Sequence, residues 1–318
     1  MNFPAARRLG AVFFFFLSAA FFLAPPAGLA APEIRYAVTI HPLAAILGEV
    51  VAGRAELVNL LPAGASPHTY EPRPSLVHQT EDALALFLVG GGLDPWAARL
   101  PARQRVEVID LIPEAMRLTM TIPHGHGDQG AEGPEAGHSG DHDEGEVDPH
   151  FWTDPLTVQA MLPALVEQLC SLDPEGCPTY RANGASWSTA LTELDRELGV
   201  MLQPLHGVPF FQFHPSFQYL FHRYDLTLAG LITPIPGREP TPRALHDLVL
   251  LVRQSGARVL FSEPQLPSRP AKVLAEAAST PERPVRVLEL DPNGGSSEKM
   301  SYRDLLLHNA RVLRQAAP

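Results

Sequence analysis

Short apolar runs of strand length recur along this chain, separated by helical patterns, and they fall into two series. The first series is "IRYAVTI" (34–40), "AELVNLL" (55–61), "ALALFLVG" (83–90) and "VEVIDL" (106–111). The second is "VPFFQF" (208–213), "LTLAGLI" (226–232), "ARVLFSE" (257–263) and "VRVLEL" (285–290). Strands that alternate with helices pair in parallel, because a parallel pair needs a crossover connection. The run at 83–90 is apolar at nearly every position, as a strand covered on both faces should be. Between the two series lies the longest helical pattern, "TYRANGASWSTALTELDRELGVML" (179–202). Its Trp187, Leu191, Leu194, Leu198 and Met201 recur at alternating spacings of four and three, which lines one face of a helix.

The fold class this predicts is α/β. Two lobes, each a small, mostly parallel sheet flanked by helices, are joined by one long rigid helix with a ligand cleft between them. The predicted boundaries are a leader at 1–31, an N-terminal lobe at 32–177, a linking helix at 178–204 and a C-terminal lobe at 205–318. With 318 residues the chain is long enough for two such units.

The first 31 residues read as a secretory signal peptide. Arg7 and Arg8 supply a positive start, "AVFFFFLSAAFFLA" supplies an apolar stretch, and "AGLAAPE" offers cleavage near Ala30 or Ala31. A membrane anchor is disfavoured because Pro25 and Pro26 interrupt the apolar run. Export places Cys170 and Cys177, the only two cysteines, in an oxidising compartment. That favours a short-loop disulfide pinning the turn after one helix over two free thiols. The net charge of −11 argues against nucleic acid as a partner, since phosphate binding needs a basic face.

Part of that acidity is local. "HGHGDQGAEGPEAGHSGDHDEGE" (124–146) carries His124, His126, His138 and His142 among seven acids, with no Lys or Arg. It lies in a polar loop at 124–148 that breaks the apolar rhythm of the first lobe.

Three other histidines fall where ligands bind in open α/β sheets, beyond the carboxyl ends of strands or in the loop before a helix. His68 lies in "LPAGASPHTYEPRP", His150 in "DPHFWTDP" and His214 in "FFQFHPS". Asp291, in "LELDPNGG", holds a comparable position after the last strand. Three imidazoles and a carboxylate suit zinc, which takes borderline nitrogen donors in four-coordinate geometry. Each ligand imidazole should donate its second ring N–H to a carboxylate or carbonyl, for which Asp148 and Glu263 are candidates. His41, His78, His206, His222, His246 and His308 read as packing or surface residues.

The ordered set "LLPAGASPHTYEPRPS", "VDPHFWTDP", "FHPSFQYLFHRYDL", "GREPTPRAL", "FSEPQLPS" and "LDPNGG" resembles the metal-binding solute receptors of bacterial ABC importers. The resemblance is nearest to their periplasmic zinc-binding members and covers nearly all of the chain after the leader. It implies two α/β lobes bridged by a rigid helix and a metal held by His68, His150 and His214 in the cleft. It further implies a monomeric periplasmic protein that delivers Zn2+ to a membrane permease, without catalysis. The His-rich loop resembles the mobile loop of zinc-type receptors, where several imidazoles would bind metal weakly; the alternative is a disordered spacer with chance histidines. Pro67 stands where some zinc members carry an acid, so the fourth ligand falls to Asp291 or to water. "HPSFQY" also lacks the acid that often follows the third histidine. Manganese-type relatives often carry Glu in place of that histidine, so His214 favours zinc. The alternatives are a manganese or iron receptor of the same family and a secreted zinc hydrolase. The hydrolase is disfavoured because no H-E-x-x-H or related motif is present.

Overall fold

The four apolar runs of the first series form one parallel sheet. A computed structural model describes Met1 and residues 34–121, 145–294 and 300–317. Nearly all of the expected leader at 1–31 and the histidines at 124, 126, 138 and 142 therefore lie outside the described residues. Strands β1 (Ile34–Val38), β2 (Ala55–Asn59), β3 (Ala85–Leu88) and β4 (Arg105–Glu107) line up in the order β2-β1-β3-β4. All three pairings are parallel. Helix α1 (His41–Val51) makes the crossover from β1 to β2, and α2 (Ser75–Glu81) precedes β3. Tyr36, Ala37, Val38 and Phe87 are fully buried, as strands covered on both faces require.

The fourth run is shorter as a strand than the sequence predicts. Pairing stops at Glu107, and Val108–Leu111 wind into a single 3-10 turn. This strand is at the sheet edge and has only β3 as a neighbour, so little holds it extended once the ladder ends.

Helix α3 (Pro155–Leu172) starts on a well-made cap. Asp154 accepts from Leu156 N and Thr157 N, and a proline occupies the first turn, where no N–H is needed. Helix α4 (Cys177–Leu202) runs 26 residues, about 39 Å at 1.5 Å per residue. It buries Trp187, Leu191, Leu194, Leu198 and Leu202. The stripe predicted to end at Met201 thus ends at Leu202, with Met201 only half-buried.

The turn between α3 and α4 is fastened twice. Cys170 and Cys177 form a disulfide with Cα atoms 4.5 Å apart. A loop this short contributes about 2–3 kcal/mol in the chain-entropy account. Asp173, inside that loop, accepts from both Arg54 and the Tyr180 hydroxyl. The Arg54 guanidinium holds the Asp173 carboxyl down at about 2.

The second series builds two parallel pairs, β5 (Pro209–Gln212) with β6 (Thr227–Leu231), and β7 (Val259–Ser262) with β8 (Arg286–Glu289). Strands β5 and β7 lie side by side. Alternation sends successive side chains to opposite faces. Phe210 and Phe261 stack on one face, and Phe211 and Leu260 belong to a separate cluster on the other. Helices α6 (Pro242–Ser255) and α7 (Arg269–Ala278) cover that second face through Leu248, Val252, Leu274 and Ala278. The remaining helices are α5 (Gln218–Arg223) and α8 (Tyr302–Arg314).

The last helix does not stay with the second lobe. It packs along α4 and touches α1, with Tyr302 edge-on to Trp187 at 5.7 Å. One continuous apolar cluster therefore joins Tyr36 and Phe87 of the first sheet to Phe210, Phe261 and Tyr302 of the second lobe. The described residues from Ile34 onward form one compact unit in consequence. Among the described residues no helix is long and apolar enough to cross a membrane.

Candidate metal centre

Three loops carry the predicted histidines to one place. Beyond β2, Leu60 and Leu61 continue the ladder to β1, and the chain then turns at Gly64, whose φ of +77° favours glycine. His68 follows on this loop. Its neighbour Pro67 offers a backbone carbonyl that accepts from Trp96 Nε1 at 3.0 Å, and Tyr70 packs edge-on against the same indole. Trp96 is presented by the loop after β3. Asp94 organises that loop by accepting from Thr39 Oγ1, Val89 N and Gly90 N. Burial pushes the Asp94 carboxyl up from its ordinary value, and the three donors oppose that shift.

His150 stands just before the α3 cap, at the entry to a one-turn 3-10 helix, Phe151–Thr153. Its ring Nδ1 donates to Asp148 Oδ1 at 2.7 Å, and its backbone N donates to the same oxygen at 2.9 Å. Trp152 Nε1 donates to Pro292 O at 2.8 Å, and the Tyr302 hydroxyl donates to Trp152 O. The His150 loop is thus tied to the second lobe by its neighbour.

His214 caps the end of β5. Its Nδ1 donates to Glu263 Oε1 at 2.6 Å, and Ser216 Oγ donates to that same oxygen at 3.0 Å. Glu263 immediately follows β7, so the adjacency of β5 and β7 makes this contact across 49 residues of sequence.

The three rings meet as a near-equilateral triangle, with centroids 5.2–5.4 Å apart. One nitrogen from each lies within 4.8 Å of the other two. His150 and His214 are 2% and 3% exposed, and His68 is half-buried. A carboxylate can only accept, so both buried rings must carry their proton on Nδ1. In each neutral ring Nε2 then remains as the ligand atom. His214 Nε2 is buried and has no hydrogen-bond partner among the described residues. His68 Nε2 and His150 Nε2 stand 3.2 Å apart. Two nitrogens bound at about 2.0–2.1 Å to one tetrahedral zinc would be about 3.3 Å apart. The donor set therefore fits a small borderline dication, and two buried carboxylates stand behind it.

Asp291 does not join this group. Its Oδ1 already accepts from Gln265 Nε2, Asn293 N and Gly294 N, so it organises the loop after β8. Of the histidines read as bystanders, His41 bonds Met300 O, and His78, His206, His222, His246 and His308 are exposed. Sequence reasoning named Asp148 and Glu263 as orienting candidates and missed Trp96, Ser216, Gln265 and Asn293. The last two lie in the quoted segments "FSEPQLPS" and "LDPNGG" and line the cavity beside the histidines.

Two α/β lobes spanned by one long helix, with an imidazole triad where the strand ends meet, fit a metal-binding receptor. The family model described as "ZnuA: Zinc-uptake complex component A periplasmic" matches residues 37–316, and the chain belongs to that family. The chain is 29% identical over 302 residues to the high-affinity zinc uptake system protein ZnuA of Yersinia pestis, covering 91% of this chain and 92% of that protein. It is 27% identical over 317 residues to the protein of the same name in Brucella abortus (strain 2308), covering 88% and 91%. A structure titled "Crystal structure of ZnuA" superimposes with a TM-score of 0.73 at 25% identity, covering 90% of this chain and 99% of that one.

Proposed function

We propose that this chain is a periplasmic receptor that captures one Zn2+ and hands it to the permease of an ABC importer. Membership of the zinc-uptake family supports this reading, and so does the convergence of His68, His150 and His214. The convergence carries the argument. Neutral imidazoles are good donors for zinc and poor ones for manganese, magnesium or calcium, which prefer oxygen. The protein acts by binding alone, as a monomer, after export on the leader at 1–31.

The arrangement also supports a way to let go. His68 and His150 come from the first lobe, and His214 with its Glu263 from the second. A small separation of the lobes removes one ligand of three without disturbing the other two. Large hinge motion is opposed by α4, by α8 packed along it and by the Trp152–Pro292 bond. Docking to a permease would have to supply that small strain.

His124, His126, His138 and His142 would bind further zinc weakly and raise its concentration near the cleft. Deleting residues 124–146 should leave the cleft affinity intact and lower total zinc stoichiometry.

Elemental analysis of protein purified from the periplasm tests the main reading. The unmodified chain should carry one zinc tightly, and His68→Ala, His150→Ala and His214→Ala should each lose it. Retention of zinc by all three variants, or manganese in place of zinc, would overturn it.

A further inference from the structure

Hydrogen bonds from one lobe to the other fall into two groups among the described residues. The first group surrounds the start of α8. Trp152 Nε1 donates to Pro292 O at 2.8 Å, and the Tyr302 hydroxyl donates to Trp152 O at 2.8 Å. His41 Nε2 donates to Met300 O at 2.7 Å close by. Trp152 and Tyr302 are buried, and Tyr302 packs edge-on to Trp187 of α4. Parting the lobes here would expose aromatic surface to water, which is unfavourable.

The second group lies at α5. Residues 118–121 of the first lobe run antiparallel to residues 146–148. Met120 N donates to Glu146 O and Asp148 N donates to Leu118 O, each at 2.8 Å, and Thr119 stands opposite Val147. The other edge of 118–121 is answered by side chains of α5. The Tyr219 hydroxyl accepts from Leu118 N at 2.9 Å. Gln218 Oε1 accepts from Thr121 N at 3.2 Å, and Gln218 Nε2 donates to Thr119 O at 2.7 Å. A backbone N–H can only donate and a carbonyl can only accept, so the Gln218 amide has one orientation here. One side chain thereby takes the place of a neighbouring strand on that edge.

This contact is tied to the spine and to both sides of the metal centre. The far end of α5 is anchored on α4, where Arg223 holds both oxygens of Asp195 at 2.8 Å and the Tyr224 hydroxyl donates to Asp195 Oδ1 at 3.1 Å. The near end of α5 follows closely on His214 of the second lobe. The partner segment ends at Asp148, which accepts from the His150 ring of the first lobe. Tyr219 is buried, but Gln218 is only half-buried, and Thr119 and Thr121 are exposed. Water can therefore replace the Gln218 bonds at little cost, and it cannot do so around Trp152 and Tyr302.

We infer that Gln218 is a clasp between the lobes: they pivot about the Trp152–Tyr302 side, and breaking the two Gln218 bonds is the step that lets the metal leave. This rests on the zinc reading above. It adds the place where the lobes open and a positioning residue, outside the ligand set, that sets how fast zinc is released. The clasp and the metal hold the same arrangement of the lobes, so each stabilises the other.

Stopped flow against excess chelator follows zinc release from the full chain after the leader. Gln218→Ala should quicken release about 5–100-fold, as expected for two lost hydrogen bonds. X-ray absorption of the same variant should still show three imidazoles on the zinc. His41→Phe removes a bond on the pivot side and keeps a ring there. It should change the release rate by less than about twofold, because a contact kept during opening does not alter the barrier. Hydrogen exchange gives a reading that needs no variant: zinc loading of the unmodified protein should slow exchange at the Leu118 and Thr121 amides. Release from Gln218→Ala at the unmodified rate would overturn the inference. So would an equal acceleration by His41→Phe, an altered zinc shell in Gln218→Ala, or exchange at Leu118 and Thr121 that ignores zinc. Failure of the zinc reading itself looks different, because the unmodified chain would then take up no zinc.

Discussion

The two sides of the metal centre are held by different means. On the His214 side the ring is fixed between two adjacent strand pairs. Strands β5 and β7 lie together, and their ends place Glu263 Oε1 2.6 Å from His214 Nδ1 with both groups buried. On the His68 side the ring rides on an irregular loop of the first lobe, half-buried, and the loop is steadied through its backbone by Trp96. The first arrangement costs nothing extra to order when metal arrives, since ring, tautomer and partner are already in place. The second is held by neutral contacts, among them the Trp96 bond to Pro67 O, and is the more readily loosened.

The largest expected effect lies on the rigid side. His214→Ala should weaken zinc binding by more than about 100-fold, since even an outer partner of a metal ligand is worth 10–100-fold. Competition against a chelator of known affinity measures it. His68→Ala should lose less, because solvent can enter a half-buried position. If His68→Ala proves the more damaging, the comparison is reversed.

Glu263→Gln comes next, at about 10–100-fold in zinc affinity. The amide can still accept from His214 Nδ1, but the charge behind the ring is gone. Affinity equal to that of the unmodified chain would show that hydrogen-bonding geometry alone holds the ring.

A third effect separates the site from the scaffold. The Arg54 guanidinium lowers Asp173 to about 2, so folding favours its ionised form. The resulting stability is present above the unfolded carboxyl value near 4 and is lost as pH falls from about 4 toward 2. It amounts to about 2 kcal/mol. Asp173→Asn should therefore unfold more easily at neutral pH, with a smaller stability loss on acidification, and its zinc affinity should stay unchanged. Denaturant titration at several pH values reads the first part, and a zinc titration at neutral pH reads the second.

The smallest effect belongs to the yielding side. Trp96→Phe keeps the packing against Tyr70 and removes the bond to Pro67 O. One neutral hydrogen bond is worth about 0.5–1.5 kcal/mol, so zinc affinity should fall by about tenfold or less. Zinc dissociation followed by stopped flow should quicken correspondingly. A loss as large as that of Glu263→Gln would make the two sides equivalent.

Much of this architecture was legible in the residues. Apolar runs separated by helical patterns gave the strands of both lobes, and the position of His68 and His214 beyond strand ends, with His150 in the loop before a helix, marked them as a set. What was not legible depends on partners distant in sequence. Helix α8 shows an apolar face in its sequence, but nothing in that face says that it packs along α4 and onto α1. The pairing of His214 with Glu263 depends on β5 and β7 becoming neighbours. Trp96 escaped notice because its acceptor is a backbone carbonyl, which no side chain advertises. Asp291 read as a candidate fourth ligand beside water, because an acid after the last strand can bind either a metal or nearby backbone N–H groups. The N–H groups of Asn293 and Gly294, together with the Gln265 amide, claim its Oδ1.

X-ray absorption at the zinc edge of the loaded protein tests the central claim most directly. The account predicts a four-coordinate shell of three imidazole nitrogens and one oxygen at about 2.0–2.1 Å. A shell with fewer than three imidazoles, or an oxygen-rich six-coordinate one, would contradict it.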